Sequence, residues 1–232
     1  MSQQLTLILS QHTGYQHVVP FEAGKDILIQ PDMTAANKEL TAELMKDILA
    51  FSDWFDQFRK KYNAQYAVGG YAEHRTVYAN SPVFDGNNGH GARRFHLGVD
   101  IWGEALTPVM TPLAAKVHSK AFNDRPGDYG GTVILEHELE GKQFYSLYGH
   151  LSLKPLDNLF PGKELEPGEA FAEFGTASEN GGWPPHLHFQ LIEDLGGRIG
   201  DYPGVCAYEE REKWLKNSPD PDLILQMRKY VQ

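Results

Sequence analysis

The sequence predicts a mainly β domain with an N-terminal amphipathic helix and short C-terminal helices. Three observations carry that prediction. A helical repeat of apolar residues lies before Tyr66, short apolar runs separated by Gly, Pro and Asn follow it, and two further helical patterns close the chain. The 232 residues suffice for one full domain and an appendage but are thin for two independent cores. Hydrophobic residues at 41% and charged residues at 22% match globular chains and argue against disorder.

Residues 1–10 have no basic run, and their apolar stretch is too short for a signal-peptide core or a membrane span, so a cytoplasmic protein is expected. Between residues 38 and 62, Leu40, Leu44, Ile48, Phe51, Phe55, Phe58 and Tyr62 recur every three or four positions and paint one helical face. This predicts one long helix packed on the main domain, capped by Thr34 or Asn37. Candidate strands cover residues 114–119, 132–136, 143–148, 171–174 and 186–192. Glu140-Gly141-Lys142 suits a hairpin turn between the second and third, and Pro161-Gly162 and Pro167-Gly168 punctuate the approach to the fourth. Residues 208–215 and 223–230 look helical, broken by Ser218-Pro219-Asp220-Pro221. The expected organisation is an appendage over 1–66, a main domain over 67–205 and a helical tail over 206–232.

A net charge of −10 repels phosphate backbones and anionic lipid, so neither nucleic acid nor membrane is an expected partner. The single cysteine, Cys206, has no second thiol for a disulfide or a thiolate metal site. Chemistry must come from elsewhere.

The ten histidines have sharply different neighbours. His96-Leu97-Gly98-Val99-Asp100 sets an imidazole and a carboxylate four residues apart on one strand face. On a straight strand they would stand roughly 13 Å apart, too far to share a metal, so Gly98 matters as the place where the chain can bend. A surface histidine and a turn aspartate would show the same spacing. His186-Leu187-His188 points two imidazoles to one face, with Gln190 following them, while Leu187, Phe189 and Leu191 turn to the other. Tyr148-Gly149-His150-Leu151-Ser152 adds an imidazole at the end of a candidate strand. Two histidines and an aspartate with one position open for water form a catalytic zinc set.

These three segments, in this order and spacing, resemble the signature segments of the lysostaphin/LytM-type zinc metallopeptidases over roughly residues 69–202. The resemblance implies an antiparallel β-sheet core with a groove, of the duplicated-hybrid-motif type. It implies Zn²⁺ held by His96, Asp100 and His188, with His150 and His186 as catalytic histidines that do not bind the metal. It implies a metallo-endopeptidase that hydrolyses a peptide or amide bond with metal-activated water, acting on a cell-wall-type or other small peptide. Tyr71 and Arg75, in the segment ahead of the first ligand, are the candidate substrate contacts: an Arg fork suits a carboxylate and a phenol suits an oxyanion. Segments 179–186 and 201–206 are also similar to a peptidase-like part of long proteins with kinase-like and aminotransferase-like domains, which implies an intracellular substrate.

His118 and His137 fall within ordinary strands and read as packing or solvent-facing residues. His90 reads as part of a glycine-rich loop, Glu193 and Asp194 as surface acids in preference to supporting partners of the site histidines, and Trp183 as a groove wall or a partner of Pro184 and Pro185. Two other readings compete. A catalytically silent module could keep the metal site, although His150 and His186 are intact. A cupin would use His186, His188 and Glu193, but it needs a further histidine downstream and none follows His188.

Overall fold

The structure, a computed structural model, describes residues 2–75 and 92–232; His90 lies outside them. Along the chain run α1 (Ser2–Gln11), β1 (Leu28–Ile29), α2 (Ala42–Lys46), α3 (Ile48–Lys61), β2 (Tyr66–Gly69), β3 (Arg93–His96) and β4 (Val99–Trp102). There follow β5 (Pro108–Met110), β6 (Ala115–Asn123), β7 (Gly130–Leu139), β8 (Lys142–Leu151), α4 (Leu153–Leu156), β9 (Glu164–Leu165) and β10 (Ala170–Glu173). The chain closes with β11 (His186–Ile192), β12 (Val205–Ala207), α5 (Arg211–Asn217) and α6 (Asp222–Leu225).

The protein is mainly β, as the sequence predicts. Eight strands form one sheet in the order β1-β2-β4-β11-β8-β7-β6-β9, with β10-β5 and β12-β3 as separate pairs. The large sheet is mixed, because β1 runs parallel to β2 while the other pairings in it are antiparallel. The β7–β8 hairpin turns at Glu140 (φ 52°) and Gly141 (φ 73°), two successive left-handed residues whose twist matches the flanking strands. The strand over 186–192 has the predicted bounds, whereas β6, β7 and β8 extend beyond the expected ones.

The helical region departs from expectation. The single helix over 38–62 is two helices, because the Asp47 side chain accepts from the Leu49 and Ala50 amides and starts α3 afresh. Thr41 caps α2, not Thr34 or Asn37, whose side chains serve local turns. The apolar stretch near the N-terminus forms α1, with Leu5 and Leu9 one helical turn apart and fully buried.

All three expected segments share one core. Leu5, Leu9, Val18, Val19 and Leu28 pack in the same cluster as Val99, Ile101, Tyr148 and Phe189, and so do Ile224, Leu225 and Met227. A second cluster joins Phe51 and Phe55 of α3 to Trp102 on β4. No helix among the described residues is long and apolar enough to cross a membrane.

Candidate metal centre

Strand β11 lies between β4 and β8, and its register organises the site. Leu187, Phe189 and Leu191 point into the main core with Val99 and Ile101 of β4. By alternation, His186, His188, Asp100 and Trp102 share the opposite face. His188 pairs with Asp100 and His186 with Trp102, so adjacent strands deliver the second imidazole of the H-x-H pair directly beside the carboxylate.

His96 reaches the same place because the chain changes sheet. β3 pairs with β12, β4 pairs with β2 and β11, and the break between them falls at Leu97 and Gly98. Gly98 has a second reason to be glycine. A Cβ there would stand 2.6 Å from His188 Cε1 and 2.8 Å from the Phe189 carbonyl oxygen.

His150 arrives by a bulge. Gly131 pairs with Leu151 and Val133 with Tyr148, so β8 holds one residue more than β7 over this interval. Tyr148 and Leu151 both enter the core, and His150, at φ 64°, is turned toward His186, with ring centroids 4.1 Å apart. Sequence alternation ended this strand at Tyr148; it continues through Leu151.

Three donor atoms converge. His96 Nε2 and His188 Nδ1 are 3.0 Å apart, His188 Nδ1 and Asp100 Oδ1 are 3.0 Å apart, and His96 Nε2 lies 3.3 Å from Asp100 Oδ1. Hydrogen bonds on the far sides of the rings place the protons. His96 Nδ1 donates to the Gly70 carbonyl at 3.1 Å, which leaves Nε2 as a lone pair. Gln190 donates its amide N–H to the Pro203 carbonyl, so its oxygen accepts from His188 Nε2 at 3.0 Å and His188 Nδ1 is a lone pair too. Two lone pairs and a carboxylate oxygen therefore face one point in a buried setting. A triangle of that size suits a cation about 2.0–2.1 Å from each corner, so the donor set fits Zn²⁺ with an open position.

The charges around the triangle agree. Burial pushes His96 down to about 4, with Arg75 adding to the effect, so the ring is neutral at pH 7. Burial alone would raise the Asp100 carboxyl, but His96 and Arg75 hold it well below the usual carboxylate value. Arg75 Nη1 donates to Asp100 Oδ2, the oxygen turned away from the triangle, while Arg75 Nε donates to Glu73 at 2.8 Å.

His150 and His186 flank the triangle without joining it. Their Nδ1 atoms donate to the carbonyls of Asn180 at 2.8 Å and Pro184 at 2.7 Å, which leaves each Nε2 able to accept a proton. Burial pushes His186 down to about 4, and burial with the neighbouring His186 puts His150 well below its ordinary value. Trp102 stacks on His186 at 5.7 Å and on Phe55 of α3 at 4.8 Å. Asp100, His188, His150, His186 and Trp102 line a groove whose walls include Tyr129, Trp183, Arg93 and Asp201, with His96 fully buried behind it.

The structure thus brings together His96, Asp100, His188, His150 and His186, and Trp183 is a groove wall. Tyr71 stands apart: it does not line this groove, and its hydroxyl donates to the Ser218 carbonyl at 2.7 Å. Arg75 does line the groove, but it is 1% exposed and its guanidinium is engaged by Asp100 and Glu73. His137 is a buried packing residue bonded to Ser146 at 2.6 Å, His118 bonds Ser119, and Glu193 pairs with Lys142 at 2.8 Å outside the centre. Glu193 therefore supplies no cupin ligand. Sequence reasoning missed Gln190 as a partner of His188, although strand alternation already put it on the right face. It also missed Tyr129, whose hydroxyl lies 3.4 Å from His188 Nε2 and which no local pattern marked.

Residues 94–198, which contain all five converging side chains, match the sequence profile of Peptidase family M23. Over 146 residues the chain is 27% identical to the L-Ala–D-Glu endopeptidase of Bacillus subtilis (strain 168), a match over 60% of this chain and 43% of that protein. The chain thus spans under half the length of this curated relative. Among solved structures, the catalytic domain of lysostaphin from Staphylococcus simulans is 20% identical, with a TM-score of 0.40 over 70% of this chain and 97% of that one. A zinc-containing peptidase from Vibrio cholerae is 23% identical, with a TM-score of 0.33 over 48% of this chain and 29% of that one. With the profile spanning every signature segment, residues 94–198 form a Peptidase family M23 domain, of the lysostaphin/LytM type, that makes up under half of the chain.

Proposed function

We propose that this chain is a zinc-dependent metallo-endopeptidase in which His96, Asp100 and His188 hold the metal. The observation that carries the reading is the buried triangle of two imidazole lone pairs and one carboxylate oxygen, all within 3.3 Å of one another. Bound there, Zn²⁺ supplies a water acidified toward a pKa of about 7 and polarises a carbonyl.

The rest is the work of the chain. Neutral His150 and His186 present Nε2 toward the groove, where one can take a proton from the attacking water and return it to the departing amine. The Asn180 and Pro184 carbonyls fix these tautomers before substrate arrives. Arg75 is a positioning residue: it holds Asp100 Oδ2 so that Oδ1 faces the two imidazoles. The name of the Bacillus subtilis relative directs the first tests to short cell-wall-type peptides containing an L-Ala–D-Glu link.

The test pairs metal analysis with peptide digestion read by mass spectrometry. Wild type is expected to hold one zinc per chain and cleave one of these peptides. His188→Ala should lose both properties, and His150→Ala should keep zinc and lose cleavage. A zinc-free wild type after reconstitution, or a His150→Ala variant that loses zinc as His188→Ala does, would overturn the assignment.

A further inference from the structure

We propose that Gln190, clamped by the C-terminal segment through Ser218, is a positioning residue that sets the tautomer of His188 and so readies Nδ1 for metal; this rests on the metal-centre reading above. The side chain is fully buried, two residues beyond His188 on the same face of β11. Its amide nitrogen donates to the Pro203 carbonyl at 3.2 Å and to the Ser218 hydroxyl at 3.0 Å. A carbonyl only accepts, so the amide cannot be flipped without setting two acceptors against each other. The amide oxygen is thereby committed to His188 Nε2 at 3.0 Å, and the ring proton must sit there.

Ser218 is itself pinned. Its amide donates to the Trp214 carbonyl at 2.9 Å, and its own carbonyl accepts from the Tyr71 hydroxyl at 2.7 Å. Both Tyr71 and Ser218 lie outside residues 94–198, so segments flanking the matched region reach the centre through two side chains. This gives Tyr71 and the Ser218-Pro219 bend a role that neither composition nor motif supplied. A carboxylate at position 190 would lack the N–H that faces Pro203, which is why the amide is the fitting group.

The experiment uses the full chain with ¹⁵N-labelled histidine. Long-range ¹⁵N–¹H spectra of metal-free wild type should show His188 protonated at Nε2, and Gln190→Met should lose that preference. Zinc titration against a competing chelator should show Gln190→Met binding about 10- to 100-fold more weakly. Ser218→Ala should shift both readouts the same way to a smaller extent, and Ser218→Thr, which keeps the hydroxyl, should restore them; this pair serves if Gln190→Met fails to fold. A wild-type His188 protonated at Nδ1, or variants with unchanged tautomer and zinc affinity, would overturn the proposal. Because the tautomer is read without metal, a wild type with the expected tautomer but no zinc affinity would instead overturn the metal reading.

Discussion

His96 Nε2 and His188 Nδ1 face each other across 3.0 Å, each ring with its proton on the far nitrogen. Two lone pairs so placed repel unless a cation lies between them. The arrangement persists because each ring is held from behind, His96 by the Gly70 carbonyl and His188 by Gln190. Pre-organisation of this kind lowers the cost of assembling the centre when metal arrives.

Gly98→Ala tests how tightly the centre is packed. The added methyl would meet His188 Cε1 at 2.6 Å and the Phe189 carbonyl at 2.8 Å, and the second of these belongs to the central strand and has no room to yield. Overpacking of this kind costs about 1–3 kcal/mol. Urea denaturation should show that loss together with weakened zinc binding; wild-type behaviour in both would refute the contact.

Arg75→Met separates a positioning role from a substrate contact. The Arg75 side chain is 2% exposed and the Asp100 side chain 4% exposed, so deleting the cation leaves a buried carboxylate without its partner. Breaking such a pair costs about 3–5 kcal/mol. The Asp100 carboxyl should become harder to ionise, and zinc affinity should drop at least about tenfold. A residue that only touched substrate would raise KM and leave zinc affinity and stability unchanged.

Acid should destabilise the metal-free protein from the histidine range downward. Burial pushes His137 down to about 4 from an ordinary 6.5, so between those values the unfolded chain binds the proton and the folded one does not. Its contribution is therefore present above about 6.5 and lost as pH falls toward about 4, a difference of roughly 3 kcal/mol. His96 and His186, each near 4, act in the same direction. His137→Phe should flatten the slope of stability against pH by up to about 1.4 kcal/mol per unit in this window. Denaturation midpoints from pH 7 to 4.5 in the presence of a chelator check it; equal slopes in wild type and variant would refute it.

Much of this was legible from residue order. The alternation of His186-Leu187-His188-Phe189-Gln190-Leu191 marks a strand with an apolar and a polar face, because side-chain direction along a strand is a local property. Glu140-Gly141 marks the turn of the β7–β8 hairpin for the same kind of reason. Asp47 could have been read as a break, since an aspartate ahead of an apolar repeat is a cap signal, but the continuous repeat across it hid the boundary.

By itself, then, the sequence determined the β-rich class, the faces of the strands and the residue types able to grip a cation. Tertiary structure alone decided which nitrogen of each ring faces the centre, that a bulge delivers His150, that Arg75 serves Asp100, and that Tyr71 braces Ser218. The physical reason is range. Alternation and turn chemistry act over a few residues, whereas tautomers and ion pairs here depend on groups such as His96 and His188, 92 positions apart, that meet only when the sheets assemble.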